Sequence, residues 1–273
     1  MNYSALLSVY SKENPQYFNQ ALWSIYKQTE QPTEIIIVKD GPLTEELDNV
    51  IQKFSSVFNK NHIKYITLEN KCNRGLGYSL NRGLKSCSED LVARFDSDDI
   101  NSIDRMSKTL KVFKNISSVS VVGGAIDEFS ENIEESLDKR EVPVTNEEIR
   151  NMSKSRNPMN HMSVTLKKAD VLKVNGYEDI PYFEDYYLWM KLISNGYMLL
   201  NIPDVLVHAR TNNSFYQRRT GLAYLRKEVN FQYKLFKNHM LTFPYFIRNI
   251  IFRGGLRLLS PRYIAFVYKI LRK

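Results

Sequence analysis

Short apolar runs alternate with segments of helical periodicity over the first hundred residues, and this alternation limits the possible folds more than any other feature. Residues 34–39 are a predicted strand, because they contain the unbroken run Ile35-Ile36-Ile37-Val38 that is typical of strands buried on both faces, and a turn follows at Asp40-Gly41-Pro42. Residues 5–10, 62–68 and 90–95 are also predicted strands. Strands that alternate with helices predict βαβ units, so we expect an α/β fold with a mostly parallel sheet flanked by helices.

Amphipathic helices are predicted between these strands and beyond them. Asn14 can cap the first helix, with Pro15 at its first position. The other predicted helices repeat apolar residues at intervals of three and four, and their expected buried faces are Leu76, Leu80 and Leu84; Ile103, Met106, Leu110 and Phe113; Leu188, Trp189, Leu192 and Ile193; and Leu222, Leu225, Val229, Tyr233 and Phe236. Further strands are predicted at residues 119–123 and 205–207.

Charge is distributed unevenly along the chain. The net charge is +8, but residues 218–273 hold thirteen Lys and Arg and a single acid, Glu228, whereas residues 1–217 are net acidic. This difference in charge predicts a main domain of residues 1–217 followed by a basic extension. The main domain is predicted to divide into halves at 1–123 and 124–217, after the strand predicted at residues 119–123. A basic segment suits either nucleic acid or an anionic membrane, and charge does not decide between them.

The compartment can be predicted from what the sequence lacks. No run approaches the roughly 18 apolar residues that a membrane-spanning helix needs, and the first residues do not resemble a secretion signal. We therefore expect a cytoplasmic protein in which Cys72 and Cys87 stay reduced.

Three carboxylates stand together in Asp96-Ser97-Asp98-Asp99, directly after a predicted buried strand. Ligands of α/β sheets bind at the carboxyl ends of strands, and hard divalent cations prefer carboxylate and phosphate oxygens. The cluster therefore indicates a Mg²⁺ or Mn²⁺ site that also holds a substrate diphosphate. A solvated acidic turn that caps the next helix is the alternative.

Polar residues at other strand ends are expected to reach the same edge. Asp40 can accept hydrogen bonds from a base or ribose, and Arg74 can donate to phosphate, although a turn Asp and a surface Arg are the simpler interpretations. His208 and Arg210 follow the predicted strand at residues 205–207 and could reach metal or diphosphate. His161 is a weaker candidate, since a lone histidine is more often structural.

Glu184-Asp185 stands immediately before a predicted helix and among aromatic residues. A carboxylate beside aromatic surface suggests a sugar site, where it can act as a general base towards an acceptor hydroxyl. The alternative is a helix N-terminus at which acids are favoured by the helix dipole.

These motifs, in this order, resemble family 2 glycosyltransferases of the GT-A fold, and most of all bacterial O-antigen and amylovoran-type transferases. The resemblance covers about residues 3–215 and rests on Ser8-Val9-Tyr10, Val38-Lys39-Asp40-Gly41, Asn73-Arg74-Gly75-Leu76-Gly77, Asn81-Arg82-Gly83, Asp96-Ser97-Asp98-Asp99 and Glu184-Asp185. The end of strand one, Val9-Tyr10-Ser11-Lys12-Glu13, and Lys39 depart from the common family pattern.

The resemblance implies a role for each motif position. Asp40 would bind uracil, Asp96 the ribose and Asp98 a Mn²⁺ or Mg²⁺ that bridges the diphosphate of a UDP-sugar. Asp185 would be the base, supported by Glu184. The main domain would be catalytic, with a nucleotide-binding half and an acceptor half, and the reaction would invert the anomeric carbon.

The resemblance also implies substrates and a location. Glucose or galactose would move from a UDP-sugar to an N-acetylhexosamine on undecaprenyl diphosphate, with a β1,3 linkage, in O-antigen or lipopolysaccharide synthesis. Helices in residues 241–273 would lie on anionic lipid at the cytoplasmic face of the bacterial inner membrane. The alternative for this tail is a helix that packs on the core and exposes a basic face.

Two other functions are weighed against this prediction. A nucleotidyltransferase would carry a glycine-rich loop after strand one, but residues 11–20 contain no glycine. A non-catalytic nucleic-acid-binding protein would present a basic face, but residues 1–217 are net acidic, so we expect no nucleic-acid partner.

Overall fold

The computed structural model describes residues 1–211 and 221–255 of the chain. Within these residues nine strands form one sheet: β1 (Ser4–Val9), β2 (Glu34–Lys39), β3 (Lys64–Glu69), β4 (Leu91–Phe95), β5 (Ile100–Asn101), β6 (Val119–Phe129), β7 (Ser136–Arg140), β8 (Thr165–Lys167) and β9 (Met198–Arg210). The helices are α1 (Pro15–Tyr26), α2 (Glu45–Lys60), α3 (Leu76–Ser86), α4 (Arg105–Asn115), α5 (Asn146–Ser153), α6 (Lys168–Lys173), α7 (Glu184–Ser194), α8 (Gly221–Lys237) and α9 (Phe243–Asn249). A 3₁₀ turn covers His161–Ser163, and a π-helical turn covers Ile250–Gly254.

The sheet confirms the expected α/β architecture. Its strand order is β3-β2-β1-β4-β8-β6-β9-β5, with β7 beside β6. Strands β1 to β4 pair in parallel, as do β6 and β9, whereas β5, β7 and β8 run antiparallel to their partners. The sheet is therefore mixed, with a parallel half built from the predicted βαβ units.

Helices cover both faces of the parallel half, which explains the unbroken apolar strands. Ile35 and Ile37 of β2 pack in one hydrophobic cluster with α1, α2 and α4, while Ile36 and Val38 pack in a second cluster with α3 and α7. Successive side chains of a strand point to opposite faces, so a strand covered on both sides has no polar position. Gly83 brings α3 close to the sheet, because a Cβ there would collide with Leu6.

Most predicted elements are confirmed, and Met106, Leu110 and Phe113 form the buried face of α4 as expected, whereas one residue predicted for that face is exposed. The side chain of Asn14 caps α1 by accepting from the N–H groups of Gln16 and Tyr17. Ile103, predicted on the buried face of α4, precedes that helix and is 61% exposed. Strand β6 continues through residue 123 to Phe129, so the proposed division of the main domain at residue 123 falls inside a strand.

Helix α8 exists where it was predicted, but its buried face differs from the expected one. Leu222 is 74% exposed and Tyr233 55% exposed. The buried face instead carries Tyr224, Glu228, Phe231, Gln232 and Leu235. The error arose because two polar residues occupy the buried face, where the rest of the C-terminal segment supplies their partners.

Residues 221–255, here called the C-terminal segment, dock against the main domain. Phe231 of α8 stacks on Phe183 with ring centroids 4.4 Å apart. Glu228 is fully buried and pairs with Arg253 at 2.7 Å, and Arg253 also donates to the carbonyl of Ser155 at 2.9 Å. These contacts agree with a helix that packs on the core, the alternative considered for this tail.

Pro244 lies at the start of α9, where the fixed φ of proline suits the first turn of a helix. The expected boundary at residue 217 and residues 256–273 of the tail lie outside the described residues. Among the helices that the structure describes, none is both long enough and apolar enough to cross a membrane.

Candidate active site

The carboxyl ends of the parallel strands meet at one edge of the sheet. In the strand register, Lys39 lies between Val9 and Glu69, and Phe95 lies beside Leu7. The residues that follow β2, β3 and β4 therefore leave the sheet at the same edge. A cavity of about 1450 Å³ opens beside it, and its lining includes Gly75, Arg94, Asp96, His161, Glu184 and Asp185.

The acidic loop after β4 gathers three carboxylates. One oxygen from each of Asp96, Asp98 and Asp99 lies within 4.8 Å of the others. Burial, together with the charges of Asp96 and Glu13, raises the pKa of Asp98 to about 7, and burial with the neighbouring carboxylates raises the pKa of Asp99 well above its ordinary value. Protein carboxylates at this spacing, destabilised by their own repulsion, fit a hard divalent cation.

The three carboxylates are held in different ways. Asp96 forms a two-pronged ion pair with Arg94, and Asp99 accepts a hydrogen bond from the backbone N–H of Arg210 at 2.8 Å. Asp98 has no ion-pair partner among residues 1–211 and 221–255. Asp98 has neither of these contacts, and its role as the metal ligand stays a prediction.

Arg94 is a site residue that the sequence analysis missed. It lies within β4, is only 3% exposed, and lines the cavity. Its positive charge lowers the pKa values of Asp98, Asp99 and Glu184, against the larger effect of burial. The sequence signal was a charged residue inside the apolar run of β4, two positions before the acidic loop.

Glu13 is a second residue that the sequence analysis did not assign. It follows β1, and its Oε2 accepts a hydrogen bond from the Ser97 hydroxyl at 2.6 Å. Glu13 therefore ties the acidic loop to the end of β1 and adds a fourth carboxylate close to Asp98.

Asp40 lies at the predicted edge, but its carboxylate is engaged with the chain. It is 5% exposed and accepts from the Asn70 side chain at 3.0 Å and from the backbone N–H groups of Arg74 and Gly75 at 2.8 and 2.9 Å. These bonds hold the loop that follows β3. Gly41 has a φ of +91°, and a Cβ there would lie 2.8 Å from the Asn73 nitrogen, so this close turn needs glycine.

Arg74 is exposed, and its guanidinium lies 4.5 Å from the centre of the Tyr78 ring. Its position beside the cavity is compatible with the predicted phosphate contact. The roles of Asp40 and Arg74 in nucleotide binding stay predictions. In the structure the Asp40 carboxylate holds the loop that follows β3.

Arg210 supports the acidic loop through its guanidinium. Its side chain donates to the carbonyls of Asp98 and Ser130 and to Gln20, and its guanidinium lies 3.8 Å from the centre of the Tyr17 ring. The N–H groups of Arg210 that were expected to bind a diphosphate therefore already donate hydrogen bonds within the chain. Binding of the sugar nucleotide by Arg210 stays a prediction, which this arrangement does not favour.

His208 contacts a carboxylate outside the cluster of Asp96, Asp98 and Asp99. Its Nδ1 is 3.3 Å from Asp127, the residue beside it on β6, and it is not among the residues whose ligand atoms converge with Asp98. A role for His208 as a metal ligand stays a prediction without geometric support.

Glu184 and Asp185 begin α7 and face the cavity. Asp185 accepts from the Asn157 side chain at 2.6 Å and from the Tyr186 backbone at 2.7 Å, so its carboxylate has a fixed orientation. Burial, followed by the charge of Asp185, raises the pKa of Glu184 to about 7. A carboxyl group with a pKa near neutrality, next to a second carboxylate of fixed orientation, is suited to acid–base work.

Asn157 was missed because nothing in the local sequence singles it out. It lies 28 positions before its partner Asp185, in the irregular segment between α5 and the 3₁₀ turn. His161 lines the cavity wall, with its Nε2 3.0 Å from the Tyr177 hydroxyl. Burial, with Arg94 nearby, lowers the pKa of His161 well below its ordinary value, so the ring is neutral.

Comparison with known proteins places this geometry in context. Residues 4–175 match the family model described as glycosyl transferase family 2. The chain is 38% identical over 98% of its length to the UDP-Gal:alpha-D-GlcNAc-diphosphoundecaprenol beta-1,3-galactosyltransferase of Escherichia coli, of which it covers 95%. It is 34% identical over 99% of its length to an amylovoran biosynthesis glycosyltransferase of Erwinia amylovora, of which it covers 99%.

Solved structures of lower sequence identity share the fold. A mannosyltransferase of Pyrobaculum calidifontis in complex with GDP-Man and Mn²⁺ matches 86% of the chain with a TM-score of 0.63 at 14% identity, and the chain spans 64% of that protein. S. aureus TarS in complex with UDP-GlcNAc matches 86% of the chain with a TM-score of 0.64 at 16% identity, and the chain spans 66% of it. These likenesses confirm the expected GT-A fold.

Proposed function

The chain belongs to glycosyl transferase family 2 and is a glycosyltransferase, and from this premise we propose that it transfers a hexose, glucose or galactose, from a UDP-sugar to a lipid-linked N-acetylhexosamine. The acceptor lipid is undecaprenyl diphosphate and the new linkage is β1,3, in O-antigen or lipopolysaccharide synthesis. Similarity to the E. coli galactosyltransferase over nearly the whole of both chains supports these substrates. The observation that carries the proposal is that Asp96 of the acidic loop and the Glu184–Asp185 pair line one cavity.

The donor half of the reaction belongs to the edge formed by β1 to β4. Asp98 holds the divalent cation, Mn²⁺ or Mg²⁺, and Asp96 and Asp40 contact the nucleoside, with Arg74 beside the phosphates. When bound, the cation neutralises the negative charge of the diphosphate. Arg94 fixes the Asp96 carboxylate through its two-pronged ion pair, so that Asp96 presents one orientation to the ribose.

The acceptor half belongs to the start of α7. The Asp185 carboxylate takes the proton of the acceptor hydroxyl while the hydroxyl oxygen attacks the anomeric carbon of the donor sugar. The bond from this carbon to the diphosphate breaks, and UDP leaves with the bonding electrons. One displacement inverts the anomeric centre, and the bonds from Asn157 and Tyr186 keep the base oriented while Glu184 supports it electrostatically.

The C-terminal extension, residues 218–273, associates with the cytoplasmic face of the bacterial inner membrane in this proposal. Its thirteen basic residues favour anionic lipid. Phe243 and Ile247 lie four residues apart on α9 and are 60% and 39% exposed, which supports an apolar face suited to the headgroup region.

The test is transfer from a panel of UDP-sugars to a synthetic lipid-diphosphate N-acetylhexosamine, first with Mn²⁺ and then with EDTA. We expect transfer from one donor, lost on chelation, with a β1,3 linkage in the isolated product. Transfer to acceptors without a lipid diphosphate, and none to the lipid-linked sugar, would contradict the proposed acceptor. Equal activity in EDTA would contradict the role of Asp98.

A further inference from the structure

The cavity is larger than one substrate needs. Sites for a single small molecule occupy about 300–1,000 Å³, whereas this cavity measures about 1450 Å³. Its lining runs from Asp96, at the donor edge, past Asp185 to the C-terminal segment, which contributes Tyr224, Lys227, Ile251, Phe252 and Arg253. The C-terminal segment is therefore one wall of the cavity that holds the proposed base.

This wall is fixed to the main domain. Arg253 joins the buried Glu228 to the carbonyl of Ser155. Asn249, 2% exposed, donates to Gln232 at 3.0 Å and to the carbonyl of Lys154 at 2.9 Å. Because these bonds are buried or partly buried and join α8, α9, the π-helical turn and the main domain, they hold the cavity-facing residues in place.

The wall combines one available cation with apolar surface. Arg253 is neutralised by Glu228, whereas Lys227 has no carboxylate partner among residues 1–211 and 221–255. The Nζ of Lys227 lies 4.5 Å from the centre of the Tyr182 ring. Phe252 and Ile251, 68% and 63% exposed, continue the lining beyond this pair.

Tyr182 has an unusual backbone at this edge of the cavity. Its φ is +77°, a conformation that side-chain-bearing residues rarely adopt, and the residue is 41% exposed. It packs against Tyr224 with ring centroids 5.4 Å apart. Strained residues of this kind occur most often at binding and catalytic sites, which agrees with a ligand at Lys227.

We infer that Lys227 and Phe252 form a subsite for the lipid-diphosphate end of the acceptor, with Lys227 on the diphosphate and Phe252 against the first part of the lipid chain. The inference rests on the proposed function. An anionic group next to an apolar chain matches a cation next to exposed apolar side chains. With this end bound at the C-terminal segment, the acceptor sugar points towards Asp185 across the same cavity.

The inference assigns the C-terminal segment a role in substrate binding as well as at the membrane. Affinity for the acceptor then depends on Lys227 in detergent solution, where no bilayer is present. A segment that acted only through membrane attachment would show no such dependence.

The experiment measures binding of a farnesyl-diphosphate-linked N-acetylglucosamine in detergent by titration calorimetry, with no donor and no turnover required. Lys227→Ala is compared with Arg226→Ala, the adjacent exposed cation of α8, which does not line the cavity. We expect Lys227→Ala to weaken binding at least about tenfold, the scale for losing one charge-assisted hydrogen bond, and Arg226→Ala to leave it unchanged. Equal effects of the two substitutions would overturn the inference.

Two further probes separate the parts of the subsite. With a phosphate-free glycoside of the same lipid, Lys227→Ala should bind as the wild type does, and a loss of the same size there would contradict a diphosphate contact. Phe252→Ala should weaken binding of the farnesyl probe about fivefold or more, but not that of a methyl diphosphate probe. Equal losses with both probes would contradict the lipid contact.

The outcomes distinguish this subsite from the proposed function. If the wild-type protein transfers sugar to the lipid-linked acceptor but has the same affinity for it as the Lys227 variant, the proposed function stands and the subsite is refuted. If the wild-type protein binds the probe through Lys227 but transfers no sugar from any UDP-sugar, the subsite stands and the proposed donor is contradicted. Wild-type protein that neither binds nor transfers contradicts both.

Discussion

Glu184→Gln should change how the stability of the protein depends on pH. Burial and the neighbouring Asp185 raise the pKa of Glu184 from an ordinary value of 4.5 to about 7 in the folded protein. Between these two pH values the unfolded chain has released the proton while the folded chain still binds it. The free energy of unfolding therefore falls as pH rises through this interval, because the folded state binds more protons than the unfolded state.

The magnitude follows from the width of that interval. From pH 4.5 to about 7, at about 1.4 kcal/mol per pH unit, the interval is worth about 3 kcal/mol. We expect about 2 kcal/mol, since Glu184 keeps some contact with water. Glutamine does not ionise, so the variant should gain about this much stability relative to the wild type between pH 5 and pH 8.

The assay is urea unfolding of both proteins in EDTA at several pH values from 5 to 8. EDTA excludes a contribution from bound cation, and the comparison cancels groups common to both proteins, including Asp98 and Asp99. Glu131→Gln, at an exposed position after β6, is the matched control and should follow the wild type. Parallel stability curves for the wild type and the Glu184 variant would refute a raised pKa at this position.

Three other substitutions test the site and its support. Asp98→Ala should lower metal-dependent turnover at least about a hundredfold at saturating donor, the scale for losing an electrostatic stabiliser, and near-normal turnover would exclude the metal role. Asp185→Asn should keep its affinity for the UDP-sugar in a binding titration but lose about 10²–10⁴ in kcat, and wild-type turnover would exclude Asp185 as the base. Arg253→Met should cost about 3–5 kcal/mol in urea unfolding because it leaves Glu228 buried without its cation, and the double variant with Glu228→Gln should regain much of this; no recovery would show that the pair is not the cause.

The chemistry of the site could be predicted in part because its main residues lie in short, recognisable segments. Asp96, Asp98 and Asp99 directly follow a strand, and Glu184 and Asp185 directly precede a helix, so local sequence gives both their chemistry and their placement. The residues that orient them come from distant positions, and no local pattern marks them. Glu13 bonds to Ser97 across 84 positions of sequence, and Asn157 reaches Asp185 across 28.

The sequence determined the secondary structure best where neighbouring residues constrain one another. The strand predicted at residues 34–39 matches β2 because an unbroken apolar run between turn residues leaves few other conformations. Asn14 and Pro15 likewise set the start of α1 through local hydrogen bonds and a fixed φ.

Tertiary structure decided which faces are buried and which side chains meet. Glu228 and Gln232 lie on the buried face of α8 only because Arg253 and Asn249 bind them, and no periodicity of apolar residues predicts such a face. The same holds for Arg210, whose donors are used by Asp98, Ser130 and Gln20. Local sequence sets backbone conformation through short-range contacts, whereas burial and charge pairing depend on partners that only the folded chain brings together.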